Sequence, residues 1–347
     1  MIRYLLPKVG NYYKANLHSH SILSDGRKTP EEMKAVYKAH GYSVLAITDH
    51  EYMVQHNDLT EDDFLMLNGY EAYIKETNDP LYKRFMKTVH LNLIAKDPTV
   101  DKHIMVDPNY MKYALVHNNG TVDNLPRVGE PCVRQYTVGD VNRYIRLANE
   151  NGYYVVYNHP CWSREVPSVI TQYQGMLGIE VYNHGVLREG YSGDDARVYD
   201  EFLRAGRRMF AFANDDNHNK FPDDSPITDS FGGFNMIKAA KLDYPTIIAA
   251  IMRGDLYCSN GPLIDDLWLD DHTVHLTCPD AREAFLVTEG RTNSNGRRGS
   301  IKAAKGENLS HITFDLLPDD GYFRIEIIDH EGYKAFTRAY FLEDIFG

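Results

Sequence analysis

Cysteine is sparse in this chain. Four occur, Cys132, Cys161, Cys258 and Cys278, and no two form a Cys-x-x-Cys pair. That scatter excludes a zinc ribbon, and a chain of 347 residues needs no disulfide scaffold. An excess of positive charge is also missing: 37 Lys and Arg stand against 49 Asp and Glu, a formal net charge of −12. General nucleic-acid binders and anionic-membrane binders normally carry a basic surface, so neither partner is expected. A small anionic substrate stays open, because clustered metal ions can reverse the sign of a pocket. No long apolar run occurs. The opening stretch MIRYLLPKVGNYYKANLHSH holds only a brief apolar patch broken by Pro7 and Lys8. It is too short and too polar for a signal peptide, and a cytoplasmic protein is the expectation. Internal repeats and low-complexity tracts are absent as well.

What is there is a rhythm of helices and buried strands. TPEEMKAVYKAHG carries its own boundaries, with Thr29 as N-cap, Pro30 at the first helical position, Glu32 closing a capping box and Gly41 as stop. Met33, Val36, Tyr37 and His40 share one face at helical spacing, and the β-rich YSVLAITDH follows. The pattern returns in GDVNRYIRLANENG before YYVVYNHP, and in DARVYDEFLRAG before RRMFAFANDDNH, with GIEVYN as a further buried strand. Alternation of this kind predicts parallel pairing in an α/β sheet or barrel. Residues 96–136 break the rhythm and have no clean period; a loop of that length inside a compact domain often serves as a lid or binding loop. From about residue 263 the pattern becomes strand-like, in LIDDLWLDDHTVHLTC, HITFDLLP and YFRIEIIDHEGYKAFTRAYFL. A small antiparallel β domain over 263–347 is expected, of unknown role, after a first domain over 1–262.

Polar residues then collect at strand ends. They are His50 closing VLAITDH, Glu71 in FLMLNGYE, His90 in TVHLNLIA, His159 closing YYVVYNH, and Asp216 with His218 closing FAFANDDNH. Parallel strands would deliver such residues to one rim, which in barrel enzymes holds the active site. His18 and His20, in NLHSHSILSDGRKTP, stand two apart, as do Asp216 and His218. Residues two apart on an extended strand share a face. Taken singly, a strand-end histidine is an ordinary hydrogen-bonded residue, Glu71 a buried ion pair, and SDG around Asp25 a turn. Taken together they predict a metal site. Imidazoles and carboxylates without cysteine suit Zn²⁺, Mn²⁺ or Fe²⁺.

The set NLHSHS…SDG, AITDH, GYE, VHLN, NHP and DDNH resembles the PHP (polymerase and histidinol phosphatase) superfamily of metal-dependent phosphoesterases, over about residues 14 to 262. The resemblance implies a distorted (β/α)7 TIM-like barrel, here with the small C-terminal all-β domain appended, whose rim holds two or three divalent ions. It implies that His18 and His20 bind one ion with Asp216, that Glu71 bridges to a second completed by His90 and His159, and that Asp25, His50 and His218 hold a third. DDNH offers Asp215 and Asp216; Asp216 is preferred because Asp-x-His sets both groups on one face. The 96–136 segment has no matching counterpart.

The expected activity is hydrolysis of a phosphomonoester of a small soluble metabolite, a nucleotide or an amino-alcohol phosphate. Clustered divalent ions lower the pKa of a bridging water from about 15.7 toward about 7 and neutralise phosphoryl charge. Asp216 is placed in the catalytic set as well as among the ligands. His184 in VYNHG is a candidate acid–base group, and Arg164 and Lys220 are candidate phosphate clamps. Arg127 and Arg134 are weaker clamps, and Tyr182 and Asn183 either line the pocket or close a strand. Two other readings stay open: a C–N hydrolase of amidohydrolase type, and a non-catalytic, metal-stabilised binding domain. The sequence leaves homo-oligomerisation open.

Overall fold

The structure, a computed structural model, describes residues 2–76, 86–291 and 297–347. Its first strands are β1 (Ile2–Tyr4), β2 (Asn11–Asn16), β3 (Val44–Ile47), β4 (Leu65–Lys75) and β5 (Thr88–Ala95). The 96–136 segment contributes the short β6 (His103–Ile104) and β7 (Arg127–Val128), and β8 (Tyr153–Tyr157), β9 (Gly178–Asn183) and β10 (Phe210–Asn214) follow. Next come β11 (Phe234–Ala239) and β12 (Leu256–Ser259). One sheet runs in the order β10-β9-β8-β5-β4-β3-β2-β11-β12 and continues into the C-terminal strands.

Helices lie between these strands as the capping signals require. Thr29 accepts from the Glu32 amide and Glu32 returns the bond, opening the helix Pro30–Ala39. Thr137 caps Val138–Glu150, which buries Val141, Tyr144, Ile145 and Ala148. A cluster of alternate strand residues, among them Ala15, Val44, Leu67, Ile94, Val156 and Phe212, packs together with Ile247 and Ile251 of the helix Tyr244–Arg253. Leu45 and Ile47, on the other face of β3, pack against Met33 and Tyr37. Alternation therefore separates an inner from an outer apolar layer.

The sheet is less regular than expected. β5 runs antiparallel to both β4 and β8, and β11 antiparallel to β2 and β12. β10 and β11 share no ladder, so strand pairing does not close a barrel. A side chain spans the seam instead: Asn235 accepts from the Ala213 amide at 3.1 Å and donates to the Ala213 carbonyl at 2.9 Å.

The C-terminal strands are β13 (Asp266–Asp270), β14 (Thr273–Ala281), β15 (Glu283–Thr288), β16 (Ser300–Lys302) and β17 (Leu309–Asp315), then β18 (Tyr322–Ile328), β19 (Lys334–Thr337) and β20 (Tyr340–Phe341). All their pairings are antiparallel, and a helix, Leu342–Phe346, follows them. The boundary expected at 262/263 runs through a continuous sheet. β12 pairs with β19, and β1, from the start of the chain, pairs with β13.

Candidate metal centre

The chain leaves β2 still extended, and Ser19 bridges to Asn217 just beyond β10. The His20 amide donates to the Asn217 carbonyl at 3.0 Å, and the Asp216 amide to the His18 carbonyl at 2.9 Å. Asp216 takes a left-handed φ of +52°. This short pairing sets three side chains on one point. Oδ1 of Asp216 lies 3.1 Å from His18 Nε2 and 3.0 Å from His20 Nε2, and the two imidazole nitrogens are 3.3 Å apart. Asp215 turns away and accepts from Tyr37 and from the amides of Phe231, Gly232 and Gly233, so the backbone sorts the two adjacent aspartates.

Glu71 stands at the middle. Its Oε1 lies 3.3 Å from His18 Nε2, 3.0 Å from His90 Nδ1 and 3.2 Å from His159 Nε2. Its Oε2 lies 2.8 Å from His50 Nδ1 and 3.6 Å from His20 Nε2. Farther out, Asp25 Oδ1 is 3.3 Å from His218 Nε2 and 3.7 Å from His50 Nε2. The structure thus brings every ligand named from the sequence into one contiguous cluster, with His18, His20 and Glu71 fully buried. His90 belongs because β5 runs antiparallel: a residue near its start reaches the same rim as residues following β2, β3, β8 and β10.

The donor set fits divalent cations. Glu71 Oε2 and His50 Nδ1 are buried, close together, and make no hydrogen bond, and Asp25 Oδ1 is likewise orphaned. Buried polar atoms are otherwise almost always partnered. Electrostatics agree. Burial opposes charge on His18, yet Asp216, Glu180 and Glu71 outweigh it and hold its pKa well above the ordinary imidazole value. Burial likewise opposes charge on His50, and Glu71 lifts it to about 9. His20 is pushed down to about 4 by burial and by His50 and His218. Protons thus occupy parts of a cluster whose carboxylates call for positive charge.

A second layer escaped the sequence reading. Glu180, fully buried, accepts from His18 Nδ1–H at 2.8 Å, the His159 amide at 2.9 Å and the Asn183 and Asn214 amides, both at 2.9 Å. Asn158 donates to Glu71 Oε1 at 2.8 Å. The signal for Glu180 was present: a charged residue inside the apolar strand GIEVYN.

The ligands open onto a cavity of about 220 Å³, whose wall includes Trp162, Phe221, Arg188 and Lys220. Lys220, a candidate clamp, lies on this wall, and so does Arg188, which the sequence reading did not single out. Several other expectations fail. His184 does not line the cavity: its Nδ1 is 2.9 Å from the Tyr182 hydroxyl and its Nε2 is 3.2 Å from the Thr228 carbonyl. A Cβ at Gly232 would fall 2.0 Å from His184 Nδ1, so the ring is boxed in. Asn183 caps the following helix through the Val186 amide. Arg164 is exposed and off the wall. Arg134 is buried in a fork on Glu51, and Arg127 donates to the Val122 and Asp123 carbonyls. A larger cavity of about 570 Å³, beside Arg208, His272 and Phe346, holds none of the cluster.

No known family profile matches the chain, and no curated protein matches it. Among solved structures it is similar to a two-domain protein from Bacteroides vulgatus that contains a predicted PHP-like metal-dependent phosphoesterase. Identity is 15%, coverage 97% of this chain and 98% of that one, and the TM-score 0.45. A Bifidobacterium adolescentis protein, provisionally named a metal-dependent phosphoesterase, is 16% identical over 63% of this chain and 91% of its own, with a TM-score of 0.37. An amidohydrolase from Chromobacterium violaceum, solved with sulfate and no metal, is 17% identical over 62% and 93%, with a TM-score of 0.38.

Proposed function

We propose that this chain is a metal-dependent hydrolase of PHP type that cleaves a phosphomonoester of a small soluble metabolite, such as a nucleotide or an amino-alcohol phosphate, in the cytoplasm. The observation that carries the reading is the cluster itself: carboxylates and imidazoles from six separate segments meet around Glu71 with orphaned, mutually close donor atoms. His18, His20 and Asp216 would hold one ion, Glu71 with His90 and His159 a second, and Asp25, His50 and His218 a third. Divalent ions held there supply hydroxide near neutral pH and neutralise charge on a transferring phosphoryl group.

The chain's own residues do the rest. Glu180 fixes the tautomer of His18 by taking its Nδ1–H, which leaves Nε2 free to ligate. Arg188 and Lys220 put positive charge on the wall of the same cavity, which suits an anionic ester. Arg188 is held by the Thr228 carbonyl at 3.1 Å and lies 3.4 Å from His184 Nε2, and among the described residues it has no carboxylate partner. His184 therefore orients a cation and is not itself the acid–base group. Burial and Arg188 push its pKa down to about 4, so it stays neutral beside that charge. Trp162 lies 5.0 Å from the His90 ring and 5.1 Å from the His159 ring and gives the cavity an apolar wall on that side. Among the described residues no imidazole outside the ligands lines the cavity, whereas the carboxyl groups of Glu189 and Asp229 do. No described helix is long and apolar enough to cross a membrane.

The test is phosphate release from a panel of phosphorylated metabolites with Mn²⁺ or Zn²⁺ supplied, beside amide and lactone hydrolysis. Phosphate release that disappears on chelation is expected. Amide or lactone turnover without phosphate release would place the chain among C–N hydrolases, and metal binding without any turnover would make it a binding domain.

A further inference from the structure

The 96–136 segment has no part in the reading above, yet it is folded against the outer end of the ligand cluster. Val106, Met111, Ala114 and Leu125 make a small core of their own, with Tyr52 packed on it. Beneath it Arg134, 4% exposed, donates to both oxygens of Glu51 at 2.5 and 2.8 Å and to the Met105 carbonyl at 2.8 Å. Glu51 directly follows His50. The segment is thus tied to the backbone of a candidate ligand by a buried, forked ion pair.

On that base the helix Lys112–His117 presents two side chains to the cluster. The Tyr113 ring stacks on His50, with centroids 6.3 Å apart and planes 19° apart, and after burial the neighbouring Asp25 carboxylate is what raises the pKa of its hydroxyl. His117 Nε2 lies 3.1 Å from the Leu23 carbonyl, on the loop that carries Asp25, and its ring stacks on Tyr52 at 5.3 Å and 6°. The Tyr113 contact falls on the outer group, His20, Asp25, His50 and His218, and the His117 contact on the loop that carries its Asp25. That group is the least enclosed: the Asp25 side chain is 39% exposed, against 0% for His18 and His20. A ligand on an exposed turn must lose conformational freedom to coordinate, and a contact that removes that freedom beforehand strengthens binding.

We propose that the 96–136 segment is a clamp for the outer cation position, in which Tyr113 and His117 hold His50 and the Asp25 loop in a ligating arrangement. The inference rests on the metal-centre reading and assigns the two side chains as positioning residues. Tyr113 touches a candidate ligand, His117 the loop that carries another, and neither touches a reacting atom.

The test uses the full chain, loaded with Mn²⁺. Metal per chain is measured by elemental analysis after gel filtration, and affinities by titration with free Mn²⁺ followed by electron paramagnetic resonance. Wild type should bind three ions. The Tyr113→Ala, His117→Ala double variant should keep two at wild-type affinity and bind the third about 10–100-fold more weakly. Tyr113→Phe, which keeps the ring and removes only the hydroxyl, should weaken the third ion less, and it carries the test if the double variant does not fold. Three ions at unchanged affinity in both variants, or equal weakening of all three, would overturn the clamp and leave the metal centre standing. Only two ions on wild type would also overturn it. No ion on wild type would overturn the clamp and the metal centre together.

Discussion

Glu180 and His18 are both fully buried, and a single 2.8 Å contact joins the carboxylate to Nδ1 of the imidazole. A carboxylate there requires a proton on Nδ1, so Nε2, which faces Asp216 and Glu71, is the nitrogen left to ligate a cation once its own proton is displaced. Substituting Glu180→Gln keeps the size and removes the charge. It should lower metal affinity about 10–100-fold while leaving the fold assembled. Zn²⁺ or Mn²⁺ titration by calorimetry checks this, and an unchanged affinity would show that Glu180 is only a packing residue.

Metal binding should tighten as pH rises. In the metal-free cluster His50 is lifted to about 9 and His18 is also raised, so near pH 7 both carry protons that a cation must displace. The stability of the metal-free chain should move the other way. A raised folded-state pKa gives stabilisation that is complete below the unfolded value of about 6.5 and is lost as pH climbs through the folded value. The metal-free melting temperature should therefore fall between about pH 6.5 and pH 9, while the increment added by Mn²⁺ grows over that window. Thermal melts with and without chelator read both trends.

Arg188→Ala should lower kcat/KM for a phosphate ester about 10–100-fold, since a charge-assisted contact contributes about 1.5–3 kcal/mol. Arg188→Lys should recover part of the loss, because a point charge replaces a fork. Arg164→Ala, on the exposed surface away from the cavity, should change neither constant. Steady-state kinetics on one substrate compare all three.

Arg134→Met should be far more damaging to stability than its distance from the cluster suggests. It leaves Glu51 charged and buried, with both members of the pair only 1% exposed, and such a loss costs about 3–5 kcal/mol. Urea unfolding of the metal-free protein measures it. Double replacement by Arg134→Met and Glu51→Leu should recover much of the difference, since the unpaired charge is then gone.

The clustering was legible because its members are strand-end residues of unusual type, and the i, i+2 pairs His18/His20 and Asp216/His218 state their own geometry. The choice of Asp216 over Asp215 was legible for the same reason. Strand direction was not. Hydrophobic periodicity is blind to it, so β5 read as parallel, although its reversal is what puts His90, near the strand's start, at the shared rim. The closing role of Asn235 was hidden because an amide completing a seam looks like any polar residue in a strand. His184 misled because a histidine after a strand looks the same whether its nitrogens face a cavity or a neighbouring tyrosine and carbonyl. Arg134 misled in the opposite sense: a loop arginine in an irregular segment proved to be the buried pin of a folded unit. Partners decide such cases, and they arrive from distant parts of the chain.

Anomalous diffraction from crystals equilibrated with Mn²⁺ or Zn²⁺ tests the central claim most directly. Peaks on both sides of the Glu71 carboxylate are expected, one among His18, His20 and Asp216 and another among His90, His159 and Glu71, at ligand distances near about 2.0–2.2 Å for Zn²⁺. Anomalous signal confined to the molecular surface, with the Glu71 cluster holding no ion, would contradict the account.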